Sequence, residues 1–346
     1  MDTISITPLD SEYISDATGL FNKYAENELP YKSLDIDSWK ALFYTSDEKV
    51  MRYIFQAISN NQLVGFAAGC CNLATGNCYI TFVLVAAEYR QNGIGRLLLG
   101  ELETALSECR KSENVLCEYW ESKNGLNEHN ELCKLQITFF NPCALTWIVP
   151  GTSGHDHPNA PGVDVDSAAF EFFKAMGYEP YVYQNSFYLP LSDYTEPSFI
   201  SDKKEWLLNQ GITLEYYDNS RHYGLEVLCD DLGNPVWKEE LPHNDALGSK
   251  GHPLMAIIRE NKIIGFTGPL RVQESGRGYF AGIGVHSECR GLGLGTVLFN
   301  TLCTSLKDLG AEYMTLFTGT DNPAGQIYQN AGFKIVKTWA DMEKGC

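Results

Sequence analysis

Apolar positions recur along this chain with two periods, near two and near 3.6 residues, and the switches between them predict its elements. Residues 3–9 read as a strand, and residues 11–26 as a helix with Ile14, Leu20, Phe21 and Tyr24 on its apolar face. Residues 50–59 and 62–73 predict a hairpin turning at Asn60 and Asn61, followed by a strand over 78–86. A helix then runs to Lys111, with Leu98, Leu102 and Leu106 spaced by four. The succession returns in the second half. A strand at 212–216 precedes a helix with Leu225, Val227 and Leu228, then a loop through Pro235 and Pro242 to Gly251. Residues 253–260 and 262–272 predict a second hairpin turning at Glu260 and Asn261, with a strand over 278–286 after it. Leu298, Leu302 and Leu306 mark the next helix, and strands at 313–317 and 334–342 flank a last helix through Tyr328. Residues 134–140, 144–149 and 181–191 supply the remaining strands of the first half.

The recurrence predicts a duplicated domain, and 346 residues suffice for two cores. The expected boundaries are 1–195 for the first domain and 209–346 for the second. A linker over 196–208 is expected because Pro197 and several charges cluster there. The halves differ in one respect: 82 residues separate Gly95 from Gly177, whereas 37 separate Gly295 from Gly332. The excess predicts an insertion at about 113–165, with a charged stretch over 118–131 and a Gly-, Pro- and His-rich loop over 150–166.

Composition narrows the partners. A net charge of −18 argues against nucleic acid or an anionic membrane surface, and is compatible with a cationic substrate. The eleven cysteines contain no Cys-x-x-Cys pair. There is no basic, apolar leader and no run of about 18 apolar residues, so a cytoplasmic protein with free thiols and no membrane span is expected. His155, Asp156 and His157 are metal-ligand types, but adjacent ligands seldom close a coordination sphere alone, so a polar loop and no metal are expected.

The chemistry-bearing stretch is Arg290, Gly291, Leu292, Gly293, Leu294, Gly295, set between a strand and a helix. Glycines let main chain approach a ligand closely, and the first helical turn offers unpaired N–H groups at its positive end. Arg290 adds a cation, so the stretch is a seat for phosphate or diphosphate. Its spacing fits neither Gly-x-Gly-x-x-Gly, which would put Thr296 in the last slot, nor a Walker loop, which needs a Lys. The same Arg-x-x-Gly-x-Gly stands 200 residues earlier as Arg90, Gln91, Asn92, Gly93, Ile94, Gly95. Each copy is followed by a helix ending in Gly-aromatic, Gly332 with Phe333 and Gly177 with Tyr178: Tyr328 stands four residues before Gly332, and Phe173 four before Gly177.

Two such loops, each with its second motif in the same order, resemble the acetyl-CoA-binding signature of the GNAT acetyltransferase superfamily. The layout is similar to that of tandem members, mycothiol synthase among them. The resemblance implies an α/β (mixed α+β) fold of two tandem GNAT-like domains, each a central mixed, mostly antiparallel sheet flanked by helices. It implies acetyl-CoA as co-substrate, held in the second half by Arg290, Gly291, Leu292, Gly293, Leu294, Gly295 and Thr296. Main-chain groups of Ile283, Gly284 and Val285 would pair with the pantetheine arm and polarise the thioester. The corresponding residues of the first half are Val83, Leu84, Val85, Arg90, Gln91, Asn92, Gly93, Ile94, Gly95 and Arg96. Tyr328 would be the general acid, since a phenol remains protonated at neutral pH and can donate to a departing thiolate; an aromatic core residue is the other reading. Asp321 occupies the slot where the family often carries Asn.

Phe173 has no hydroxyl to offer, so the first half is expected not to catalyse. No general base stands out: Tyr279 and His286 flank the strand, and Glu288 lies in the turn. The expected activity is N-acetylation of a small primary amine by direct attack, in a monomer or homodimer. A protein or peptide N-acetyltransferase and a non-catalytic CoA sensor are the alternatives.

Overall fold

The two hairpins anticipated by their turn residues organise the chain. A computed structural model describes residues 4–111, 134–233, 237 and 253–345. These form two units: Met1–Gly151, His157–Gln184 and Thr338–Cys346 make the first, and Thr152–Asp156 and Asn185–Lys337 the second.

The first unit runs β1 (Ile4–Pro8), α1 (Ile14–Asn27), α2 (Ile36–Phe43), β2 (Val50–Ser59), β3 (Gln62–Asn72), β4 (Cys78–Val85), α3 (Ile94–Lys111), β5 (Lys134–Ile137) and α4 (Ala168–Ala175), ending in the start of β6 (Glu179–Pro190). Strands β1 to β4 form an antiparallel meander, and β4 pairs in parallel with β5 only through Cys78 and Tyr79. Leu98, Leu102 and Leu106 of α3 are fully buried on one face of this sheet. The other face carries α1 and α2 through an aromatic cluster of Phe21, Trp39, Phe43, Phe66 and Phe82.

The second unit runs α5 (Ser198–Asn209), β7 (Ile212–Tyr216), α6 (Leu225–Leu232), β8 (Met255–Arg259), β9 (Lys262–Thr267), β10 (Ile283–Val285), α7 (Leu294–Asp308), β11 (Tyr313–Gly319), α8 (Ala324–Asn330) and the start of β12 (Lys334–Gly345). Strands β7 to β10 repeat the meander. The short strand Arg277–Gly278 pairs in parallel with β11, as β4 does with β5. Leu298, Leu302 and Leu306 of α7 are again fully buried.

The likeness reaches irregular features. Both hairpin turns, Asn60 with Asn61 and Glu260 with Asn261, have positive φ at both residues, the twist that suits a two-residue turn. Both hairpins bulge at the same place, between Ala57 and Ile58 and between Ile257 and Ile258.

Several boundaries differ from the sequence reading. The expected linker is largely helix α5, with Pro197 at its N-cap. The eight-residue α2 was not anticipated. The expected strand over 278–286 is broken at 279–282, where Gly282 takes φ +130. The strands expected over 134–140 and 144–149 shorten to Lys134–Ile137 and Trp147–Ile148. Most important, the end of the chain does not close its own half. Residues 338–346 belong to the first unit, where Met342 pairs with Ile137, while residues 185–195 belong to the second. The charged stretch 118–131 and most of the loop from Pro235 to Gly251 lie outside the described residues.

Candidate active site

In the second unit β10 is an edge strand, paired with β9 on one side among the described residues. His286 N donates to Ile264 O at 2.9 Å. Antiparallel alternation therefore turns the main-chain groups of Gly284 toward β9 and those of Ile283 and Val285 toward the open edge. Beyond His286 the chain makes one 3₁₀ turn, Ser287–Cys289, held from outside by Asp231, whose Oδ2 accepts Ser287 N–H at 2.7 Å. Gly291 and Gly293, with φ +82 and +76, then swing the chain into α7 in a conformation side chains disfavour. The first helical bond is Val297 N–H to Gly293 O, at 3.2 Å. Among the described residues the N–H groups of Gly291, Leu292, Gly293, Leu294, Gly295 and Thr296 have no acceptor. The main-chain N–H of Arg290 donates to Ser287 O at 3.3 Å, but its exposed guanidinium makes neither hydrogen bond nor ion pair there, and Asp231 feels its charge from a distance. This combination of convergent amides, a helix N-terminus and an uncommitted guanidinium fits a diphosphate, and the open edge of β10 fits an extended amide-bearing arm.

Tyr328 lies on α8 and is buried. Its ring packs against Phe187, Phe280 and Phe299 at centroid distances of 5.4, 5.9 and 4.7 Å. Its hydroxyl has no hydrogen-bond partner among the described residues. Burial alone pushes the phenol well above its ordinary range, so it stays protonated and can give a proton but not take one. The site thus combines both readings: the ring is core, and the hydroxyl is spare. Helix α8 reaches the loop through Ile327, whose Cδ1 lies 3.3 Å from where a Cβ on Gly295 would stand.

The first unit has the same frame with different occupants. Phe172 stands 3.4 Å from the Cβ position of Gly95, as Ile327 does for Gly295, so Phe173 is the structural counterpart of Tyr328. Phe173 packs against Phe172 and Tyr178. The N–H groups of Gln91, Asn92, Gly93, Ile94, Gly95 and Arg96 again have no acceptor among the described residues. Ala86 N bonds Val64 O, so Val83 and Val85 face the outer edge and Leu84 faces β3. Arg90, however, is committed. Its Nε donates to Val85 O at 2.9 Å, its Nη1 pairs with Glu28 Oε2 at 3.0 Å, and its guanidinium lies 4.8 Å over the Tyr24 ring. Tyr24 takes the place of Asp231, its hydroxyl accepting the N–H of Ala87. Gln91 adopts φ +65 where the second loop has glycine.

The remaining candidates play other parts. Tyr279 lies under the Arg271 guanidinium, His286 Nδ1 accepts Glu288 N–H at 3.3 Å, and Glu288 is exposed. His155 stacks on Tyr313 at 3.9 Å, Asp156 Oδ1 accepts the Tyr313 hydroxyl at 3.1 Å, and His157 Nδ1 contacts the Asn159 carbonyl at 2.8 Å. Among the described residues no group of three or more His, Cys, Asp or Glu is placed to hold a metal ion, and no helix is long and apolar enough to cross a membrane. Sequence reasoning missed Glu28 and Asp231, since both reach the loops from 56 or more residues away.

Comparisons with known proteins bear on the family and the fold. The family described as Acetyltransferase (GNAT) family matches residues 16–124 and 218–333. None of the curated proteins matches the chain. Among solved structures, a GCN5-related glucosamine N-acetyltransferase region of a fungal multi-domain GH3 β-N-acetylglucosaminidase matches 99% of the chain with TM-score 0.65 at 16% identity; the chain spans 38% of that protein. A GCN5-related N-acetyltransferase from Sphaerobacter thermophilus matches 99% of the chain and 95% of its own length, with TM-score 0.60 at 12% identity. A tandem GNAT protein from the clavulanic acid biosynthesis pathway matches 99% and 98%, with TM-score 0.56 at 14% identity. At these identities the likeness is one of fold. The two family matches cover both loops and their flanking elements, so this chain belongs to the GNAT acetyltransferase family and carries its module twice.

Proposed function

We propose that the second unit transfers an acetyl group from acetyl-CoA to a primary amine of a small molecule, and that the first unit does not catalyse. The observation that carries this reading is the difference between the two arginines. Among the described residues the Arg290 guanidinium and the six amides after it have no partner and could hold a diphosphate, and the outer edge of Ile283 and Val285 is unpaired and could pair with the pantetheine amides. Arg90 is engaged by Glu28, Val85 and Tyr24. The ion pair is about 40% exposed on both sides and worth at most about 1 kcal/mol. With the carbonyl bond and the ring contact, releasing Arg90 costs about 2 kcal/mol, roughly a 30-fold handicap for a ligand at the first loop.

Acetyl-CoA supplies the acetyl group. The neutral amine forms the new C–N bond and the C–S bond breaks; Tyr328 Oη–H donates its proton to the departing thiolate, the amine loses one to solvent, and the phenolate takes a proton back from solvent before the next turnover. Convergent backbone N–H groups at the edge of β10 would stabilise the charge that develops on the carbonyl oxygen. No side chain forms a covalent bond, because a positioned amine attacks a thioester directly. The described cysteines are all buried free thiols, which suits the reducing cytoplasm we propose as its compartment.

A thiol-release assay with acetyl-CoA and a panel of primary amines tests the reading. Turnover with small amines is the expected result. Acetyl-CoA binding with no turnover on any acceptor would instead identify a sensor, and turnover on peptides alone would identify a protein N-acetyltransferase.

A further inference from the structure

Residues 271–279 form a small hairpin ahead of β10. Tyr279 N–H bonds Arg271 O, Gln273 N–H bonds Arg277 O, and Val272 bridges Gly278. Alternation puts Arg271, Gln273, Arg277 and Tyr279 on one face. The other face is core: a Cβ on Gly278 would stand 3.0 Å from Leu306 of α7 and from Met314, and Val272 packs into the same cluster. The arginines therefore lie on the side of the sheet away from α7 and its loop.

Their position along the sheet matters as much. Parallel pairing with β11 ends at Gly278 and Met314, and Tyr279 is the next residue. From there the strands part, and the free edge of Ile283 follows. Arg271 thus stands at the base of the opening. Its guanidinium lies 4.2 Å from the Tyr279 ring centre, and its Nε is shut off from solvent with no hydrogen-bond partner among the described residues. The neighbouring Arg277 is buried and spends its bonds on neutral acceptors: Thr315 Oγ1 at 2.7 Å, Thr315 O at 2.6 Å and Gln273 Oε1 at 2.7 Å. Burial pushes its guanidinium down to about 10. The carboxylate acting on it is Asp156, whose Oδ1 already accepts from Tyr313. In a chain of net charge −18, two guanidiniums thus share one face of this hairpin.

We propose that Arg271 receives an anionic group of the acetyl acceptor, so that the acceptor is an amine also bearing a carboxylate or phosphate. Its Nη1 and Nη2, which have no partner among the described residues, can make two parallel bonds to such an oxyanion, and Tyr279 holds the guanidinium plane in place. This rests on the transferase reading and sharpens it, since net charge alone is compatible with a purely cationic acceptor.

The test compares matched pairs on the full chain: β-alanine against β-alaninamide, and O-phosphoethanolamine against ethanolamine. Binding is read by calorimetry without thioester, and turnover by thiol release. The anionic member of at least one pair is expected to bind about tenfold or more tightly, and to show its advantage in KM. Arg271→Ala should bring that ratio close to one, and Arg271→Lys, which keeps charge and loses the fork, should fall between. Which pair responds distinguishes carboxylate from phosphate. Equal or tighter binding of both neutral members by the unaltered protein overturns the proposal whether or not turnover is seen. Anion-selective binding lost in Arg271→Ala, without turnover on any amine, upholds the site and removes the transferase reading instead.

Discussion

The loops at Arg90 and Arg290 share strand, turn and helix, yet their arginines are used oppositely. The Arg290 guanidinium is exposed and has no hydrogen-bond or ion-pair partner among the described residues, while Arg90 is folded back onto the carbonyl of Val85, Glu28 and the Tyr24 ring. The opposition extends to the second motif, where Tyr328 keeps a spare hydroxyl and Phe173 has none. A duplicated fold can therefore preserve a ligand loop's backbone while side chains from another helix decide whether the loop is available. Buried charge differs as well. The first unit buries Asp341, whose Oδ2 accepts from Gln184 at 3.3 Å, and the second buries Arg277.

The sharpest way to break the comparison is to exchange the second motif. Tyr328→Phe should lower kcat about 100-fold in steady-state thiol release, the usual scale for losing a general acid. Phe173→Tyr alone should restore nothing to that variant. An unchanged rate in Tyr328→Phe across pH 6–9 would leave the residue as core only. Next in size are the arginines: Arg290→Ala should weaken acetyl-CoA binding about tenfold, the scale of one charge-assisted contact, and Arg90→Ala less than twofold.

The buried carboxyl gives a pH-dependent contrast. Burial raises Asp341 from 3.8 to about 6, so the folded state holds its proton more tightly than the unfolded chain does. Its contribution is complete below about pH 4 and is lost as pH rises through 6. Asp341→Asn should then stabilise the protein by about 1–2 kcal/mol at pH 7.5, and by much less at pH 4, in urea unfolding. A gain of the same size at both pH values would mean that packing, not ionisation, is responsible. The smallest effect concerns Gln91, which holds a left-handed backbone that glycine adopts without strain. Gln91→Gly should add up to about 1 kcal/mol of stability, and Gly291→Gln should remove a similar amount.

Much of the frame was legible because local chemistry fixed it. Asn60 with Asn61 and Glu260 with Asn261 sit between apolar runs and turn as expected, and the leucine stripes of α3 and α7 are buried as their spacing required. Pro197 misled the reading: taken as a breaker, it stands where proline starts a helix. Helix α2 is short, and its burial through Trp39 and Phe43 comes from tertiary packing rather than from a long periodic pattern. The destination of the last strand was not legible at all, since residues 338–345 carry nothing local that names β5 as a partner. The two loops were found by motif. What separates them, Glu28 lying 62 residues from Arg90 and Asp231 lying 56 from Ser287, depends on contacts that motif spacing does not encode.

The most direct test is the stoichiometry of acetyl-CoA binding by calorimetry on the full chain, repeated with Arg90→Ala and Arg290→Ala. One strong site per chain is expected, weakened by the Arg290 change and indifferent to the Arg90 change, with any second site at least about 30-fold weaker. Two equal sites, or a single site that disappears with Arg90→Ala, would contradict the assignment of the halves.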